Sequence, residues 1–302
     1  MNAPKSATPL CVIANAKAGK GKAGRGLETL LDAHPGSFTV RRVRKGSQLE
    51  AAAAQAIEDG FRGIIGAGGD GTISAIANAV AGTDASLGAI PLGTFNYFAR
   101  RHAMPEDTEQ AIETVLAGDT HAADVGVLNG RVFLNNASLG LYPAVLQQRE
   151  RAYKKWGRSR FLAVFSALRT LRQFRTGLRM KITVDGRVFR LKTPSAFIAC
   201  NPFQLRSVNL EGAEYVEQGQ LVLIAAPDCG RFRLMLNFLR LGMGLAQRGR
   251  EFEMICGTEI HVDISRKYQL VAIDGERVRL KAPFDFRMNR GAITVIAPNG
   301  AD

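Results

Sequence analysis

Two patterns divide this chain, and together they predict an α/β domain followed by an all-β domain. In the first third, short apolar runs alternate with helix-length crossovers. That is the arrangement of a mostly parallel sheet covered on both faces, because parallel neighbours cannot be joined by tight turns. From about residue 122 the runs are joined by Asn-Gly and Asp-Gly pairs suited to type I′ hairpins, which points to an antiparallel sandwich or barrel. The predicted domains are 1–121 and 122–302.

The elements follow in order. Apolar, β-prone runs predict strands at Leu10–Ala14, Phe38–Val43, Gly63–Gly66 and Leu87–Ile90. Helical spacing predicts helices at Gly26–Ala33, alanine-rich Leu49–Asp59, Thr72–Ala81, Thr94–His102 and Thr108–Ala117. In the second part three hairpins are expected, turning at Asn129-Gly130, Asp185-Gly186 and Asp274-Gly275. Further strands are expected at Ala196–Cys200, Leu221–Ala226, Glu259–Ile264 and Ala292–Ile296, and Phe232–Ala246 is an apolar helical stretch with arginines at its ends.

Of 302 residues, 46% are hydrophobic and 22% charged, ordinary globular proportions that exclude disordered, collagen-like and coiled-coil readings. Charge is the exception. Lys and Arg number 40 against 27 Asp and Glu, a net +13, which favours an anionic partner. Four cysteines with no CxxC pair indicate neither a disulfide framework nor a zinc site, and so a reducing cytoplasm. Leu10–Ala14 is too short for the apolar core of a signal peptide, and no stretch matches a membrane-spanning helix. His34, His102, His121 and His261 lack metal-ligand spacing.

Most of the net charge sits in one place. Arg149–Lys181 holds eleven Lys or Arg and one acid, Glu150. Within it Phe161, Leu162, Val164, Phe165, Leu168, Leu171 and Phe174 approximate a helical stripe, flanked by Trp156, Arg158, Arg160, Arg169 and Arg172. Interfacial helices pair an apolar face with cations in this way, so peripheral docking on an anionic membrane is the first reading. Packing into a core or dimer interface is the second. Nucleic-acid binding is not expected, because no zinc finger or regular aromatic interleaving is present.

The sharpest local feature is Gly66-Ala67-Gly68-Gly69-Asp70-Gly71-Thr72, set between a strand and a helix. Glycines there let backbone N–H groups approach a phosphate, and the helix start favours negative charge. The formal GxGxxG match is weak, since the loop follows the third strand rather than the first. A carboxylate inside a phosphate loop needs a metal between them, so Asp70 is read as metal-facing or acid/base. Gly19-Lys20-Gly21-Lys22 is not a Walker A loop.

Taken together, Asn15-Ala16-Lys17-Ala18-Gly19, Gly68-Gly69-Asp70-Gly71-Thr72, Pro91-Leu92-Gly93-Thr94-Phe95-Asn96-Tyr97-Phe98-Ala99-Arg100 and Asp274-Gly275-Glu276 resemble the diacylglycerol kinase catalytic family. That family also embraces sphingosine and ceramide kinases. The resemblance implies an N-terminal ATP-binding domain with a Rossmann-like sheet and a C-terminal β-sandwich that takes the lipid. It implies that Asn15, Gly68, Gly69, Asp70, Gly71, Thr72, Ile73, Ser74 and Thr94 line the ATP site, with Asp70 helping to hold Mg2+. Asp274 and Glu276 would face the acceptor hydroxyl across a cleft, one of them as base.

Some positions depart from the family pattern. Tyr97 replaces a common Asp, Ala75 a common Glu, and Arg44-Lys45 a nucleotide-contacting Thr. Where members carry an Asp-Asp-Gly structural Mg2+ segment, this chain has Glu217-Gln218-Gly219-Gln220. A neutral Gln is a poor ligand for a hard cation, so that accessory site is expected to be weak or absent. The expected activity is ATP-dependent phosphorylation of a diacylglycerol-like or sphingoid lipid at the cytoplasmic membrane face. The rivals are a soluble NAD-kinase-like enzyme and a non-catalytic lipid- or nucleic-acid-binding protein on the same fold.

Overall fold

The computed structural model describes residues 10–15, 26–141, 143, 177–242 and 248–298. The chain divides into two units, Met1–Val125 with Asn289–Asp302, and Gly126–Met288. The first is built from β1 (Leu10–Asn15), α1 (Leu27–Asp32), β2 (Phe38–Val43), α2 (Leu49–Glu58), β3 (Gly63–Gly68), α3 (Asp70–Val80), β4 (Ser86–Pro91), α4 (Tyr97–Arg101) and α5 (Thr108–Ala117). β5 (Thr120–Leu128) leads into the second unit, which continues with β6 (Arg131–Phe133), β7 (Asn136–Gly140), β8 (Leu178–Val184), β9 (Arg187–Thr193), β10 (Ser195–Ala199), α6 (Pro202–Ser207) and α7 (Ala213–Glu217). β11 (Leu221–Ala225), α8 (Arg231–Gly242), β12 (Glu253–Gly257), β13 (Glu259–Ile264), β14 (Tyr268–Ile273), β15 (Glu276–Lys281) and β16 (Phe284–Ile296) complete it.

In the first unit the strands run parallel in the order β2-β1-β3-β4. All six positions of β3 are buried, as a two-faced parallel strand requires. Glycine permits the close packing. A Cβ at Gly66 would lie 2.5 Å from Ile73 of α3, and one at Gly88 would meet Ile65 at 2.5 Å and Val115 of α5 at 3.5 Å. Because Gly66 and Ile65 point to opposite faces, α3 covers one side of the sheet and α5 the other. Helix α5 carries its own signals: the Asp107 carboxylate accepts from the N–H groups of Glu109 and Gln110, and Gly118 closes the helix at φ 70°.

The second unit is the expected antiparallel sandwich. One sheet contains β13 between β8 and the start of β16, with β9 beyond β8, and the other has the order β12-β11-β10-β7-β14-β15. In β8 buried and outward residues alternate, with Met180, Ile182 and Val184 inside. They share one core with Leu139, Ile198, Leu223 and Val271 of the opposite sheet, so the barrel alternative is not adopted. All three expected hairpins form. Their turn pairs have positive φ at both positions, 47° and 83° at Asn129-Gly130, 45° and 82° at Asp185-Gly186, and 46° and 83° at Asp274-Gly275.

Three expectations change. The strand expected at Ala292–Ile296 is the end of a longer β16, and Thr294 and Val295 pair in parallel with Ser86 and Leu87 of β4, inside the first unit. A boundary that leaves 122–302 wholly in the second unit therefore misses the returning C-terminal stretch. The helix expected at Thr94–His102 is only Tyr97–Arg101, because Asn96 adopts the left-handed conformation at φ 49°. Strand β12 and the short helices α6 and α7 carry no periodic signal long enough to read. The basic stripe with Trp156, Arg158, Arg160, Arg169 and Arg172 lies outside the described residues, as does the Gly19–Gly24 loop.

Candidate active site

In an open parallel sheet, ligands bind beyond the carboxyl ends of the strands where the strand order reverses, here between β1 and β3. Asn15 ends β1 at this point, and Gly68 ends β3 beside it. The chain turns at Gly69 into α3, whose first turn is Asp70, Gly71 and Thr72. The Gly69 carbonyl accepts from the N–H groups of Thr72 at 2.8 Å and Ile73 at 3.3 Å. Helix α3 therefore opens toward the carboxyl edge, the polarity that suits phosphate.

A second loop is locked to the first. Leu92 donates its N–H to the Gly68 carbonyl at 2.9 Å, and Asn96 closes the turn by accepting from Gly93 N–H at 3.0 Å and donating to the Gly93 carbonyl. A Cβ on Gly93 would stand 2.6 Å from both Gly69 Cα and Asn96 Oδ1. The Asp70 carboxylate adds the third tie, accepting from the N–H of Phe98 at 3.2 Å at the start of α4. Asp70 thus holds the two loops together with one oxygen. Gly93→Ala should force them apart, costing about 1–3 kcal/mol. A lower melting temperature together with weaker binding of an ATP analogue checks this.

The other expected nucleotide residues fall around this pair of loops. Thr94 is exposed, and its neighbours Phe95 and Tyr97 stack in parallel with centroids 5.4 Å apart. Thr72, Ile73 and Ser74 are buried. The Ile73 side chain packs inward on Gly66, so this position faces the edge only through its backbone. Behind α4, His102 is buried against Phe98 and shares a 2.9 Å contact with His121. Burial, then Arg101 and His121, push its pKa well below the ordinary 6.5.

Asp274 and Glu276 belong to the second unit, at the turn between β14 and β15. Asp274 is gripped by three successive backbone N–H groups, with Oδ2 accepting from Leu134 at 2.8 Å and Oδ1 from Asn135 at 2.8 Å and Asn136 at 3.0 Å. Beneath them Asn201 donates to Asn135 at 2.7 Å, and Asn136 donates to Gln204 at 3.0 Å. Asp185, in the sister turn, behaves alike. Burial opposes its charge, but hydrogen bonds from Glu259 N–H, the Thr258 hydroxyl and Thr258 N–H hold its carboxyl below the usual range. Both oxygens of Asp274 thus accept from backbone donors, whereas the Glu276 side chain is exposed. Sequence reasoning missed Asn96 beside the glycine loops, and, around Asp274, it missed Asn201, Gln204 and the Leu134–Asn136 backbone. The only signal was the Asn135-Asn136 pair within an uncharged run.

The segment Gln218–Gln220 joins α7 to β11, and the adjacent Glu217 pairs with Arg206 at 2.5 Å. Among the described residues no three His, Cys, Asp or Glu side chains gather to hold a metal ion.

Residues 9–128 match the diacylglycerol kinase catalytic domain. A Staphylococcus aureus diacylglycerol kinase is 29% identical over 259 residues, 82% of this chain and 78% of its own length. A solved Bacillus anthracis structure covers 99% of this chain and 100% of its own with a TM-score of 0.74 at 21% identity. A second, named as a diacylglycerol kinase of the same organism, gives 0.68 at 17%. These last two speak for the fold, and the domain match and the sequence relative speak for the chemistry. On the domain match and the sequence relative, this chain is similar to the diacylglycerol kinase catalytic family, and both support a phosphotransferase of the lipid kinase class.

Proposed function

We propose that this protein transfers the γ-phosphoryl group of ATP to a hydroxyl of a diacylglycerol-like or sphingoid lipid at the cytoplasmic face of the membrane. The observation that carries the reading is the locked pair of loops at the carboxyl edge of β3 and β4, where glycine backbone and a helix start face one carboxylate, Asp70. Phosphoryl transfer asks chiefly for positioning and charge neutralisation, which such a cradle supplies. Mg2+ retains most of its waters and takes one or two carboxylates besides phosphate oxygens. Asp70, with no acidic cage around it among the described residues, fits an ion carried in on the nucleotide, where it would neutralise charge on the phosphates.

In this reading the backbone of Gly68–Ser74, with Asn15 and Thr94, orients the triphosphate. The lipid hydroxyl oxygen bonds to the γ-phosphorus as the bond to the β-phosphate oxygen breaks, and the hydroxyl proton passes to Glu276. Asp274, held by three N–H groups, keeps that turn in place. Gln218 and its neighbours offer no carboxylate for an accessory ion beyond Glu217, already paired with Arg206. No helix among the described residues is long and apolar enough to cross a membrane.

The test is transfer of labelled phosphate from ATP and Mg2+ to a lipid panel in anionic vesicles, with wild type beside Glu276→Ala. A labelled lipid made only by wild type is the expected result and names the acceptor class. Labelled NADP from NAD, with no labelled lipid, would move the assignment to the soluble kinase.

A further inference from the structure

Two features of the second unit have no part in the chemistry above. The first is the outward face of the β8–β9 hairpin. With Met180, Ile182 and Val184 in the core, and Phe189 and Leu191 packed against it, the intervening residues point to solvent. Register places Arg179 opposite Lys192 and Lys181 opposite Arg190, so four cations form a square along a shallow groove of about 450 Å³. Asp263, beside Lys181, is the acid lining it.

The second feature is α8. Its inner side is anchored by Leu234, which packs against Leu141. Phe232 and Leu236, one turn apart, are instead 76% and 43% exposed. The helix sequence RFRLMLNFLRLG contains three arginines and no acid. The two features are joined, since Lys192 Nζ meets Asp228 Oδ2 at 2.6 Å in the loop that leads into α8. The hydroxyl of Thr193 also donates to the Ala226 carbonyl at 2.7 Å.

Cations along β9 would by themselves deter pairing with another chain, and that role needs nothing apolar nearby. A basic square adjoining an acid-free helix that holds Phe232 and Leu236 in solvent needs a partner that is both anionic and apolar. A bilayer surface has both properties, with phosphate headgroups above acyl chains. An RNA would match the charge but leave Phe232 and Leu236 uncovered. We propose that the outer face of β8–β9 and helix α8 form a docking surface for an anionic lipid bilayer, the cations on headgroups and Phe232 and Leu236 entering the acyl boundary. This deepens the lipid-kinase reading and rests on it for the supply of substrate.

The experiment is co-sedimentation with phosphatidylglycerol and phosphatidylcholine vesicles, run beside phosphoryl transfer to a short-chain diacylglycerol in neutral detergent micelles. Wild type should bind the anionic vesicles far better than the zwitterionic ones. Lys181→Ala/Arg190→Ala should lose about fivefold per cation, roughly 30-fold in all, and Phe232→Ala/Leu236→Ala about tenfold. Both should keep the wild-type melting temperature and micellar activity, because all four side chains are exposed and none is in the catalytic set. Vesicle binding at wild-type strength in both variants, or none by wild type, would overturn the proposal. So would a charge variant that loses single-stranded RNA binding but no vesicle binding. Vesicle binding that depends on this face, in a protein that phosphorylates no lipid, would uphold the surface and remove the kinase assignment instead.

Discussion

Glu276→Gln is expected to lower the turnover of phosphoryl transfer by about 10²–10⁴ while leaving the melting temperature unchanged, the usual weight of a positioned general base. The side chain is exposed, and the β14–β15 hairpin pairs through its backbone, so isosteric loss of charge leaves the fold intact. Asp274→Asn should do the reverse. Its carboxylate meets backbone donors on both oxygens, and an amide presents one of them with a second donor. Stranding one or two N–H groups there costs about 1–3 kcal/mol each, so thermal unfolding should begin several degrees earlier. Activity measured below the transition should fall less than for Glu276→Gln. If Asp274→Asn melts like wild type and is inactive, the proton acceptor is Asp274, and the roles given to the two carboxylates exchange.

Asp70→Asn is expected to reduce turnover about 10²–10³-fold with little change in stability. Asparagine keeps an oxygen that can accept from Phe98 N–H, so the tie between the loops survives while the charge is lost. Asp70→Ala removes both and should in addition loosen α4, visible as a lower melting temperature. Comparing the two variants separates the electrostatic part of the residue from its structural part. Undiminished activity in Asp70→Asn would remove Asp70 from the set that handles metal and nucleotide.

Much of this architecture was legible because its signals are local. Buried runs such as Gly63–Gly68 and alternating ones such as Leu178–Val184 declare their sheet type by which side chains must avoid water. Asn-Gly and Asp-Gly pairs declare hairpins because few other residues tolerate positive φ at two successive positions. The four motifs marked the residues proposed for the site, though not what each one does.

What those residues do was decided by distant partners. Asp70 reads in sequence as a carboxylate meant for a metal, and in the folded chain one of its oxygens caps a backbone N–H 28 residues away. Asp274 reads as either turn chemistry or a catalytic base. Folding surrounds it with three N–H groups up to 140 positions earlier, leaving Glu276 beside it open to solvent. The return of β16 to pair with β4 is of the same kind, since an apolar run specifies burial but not the strand it will lie beside. Periodicity and turn chemistry are properties of neighbours along the chain and determined the fold class. Hydrogen-bond donors that converge only when the chain closes decided how Asp274 is held.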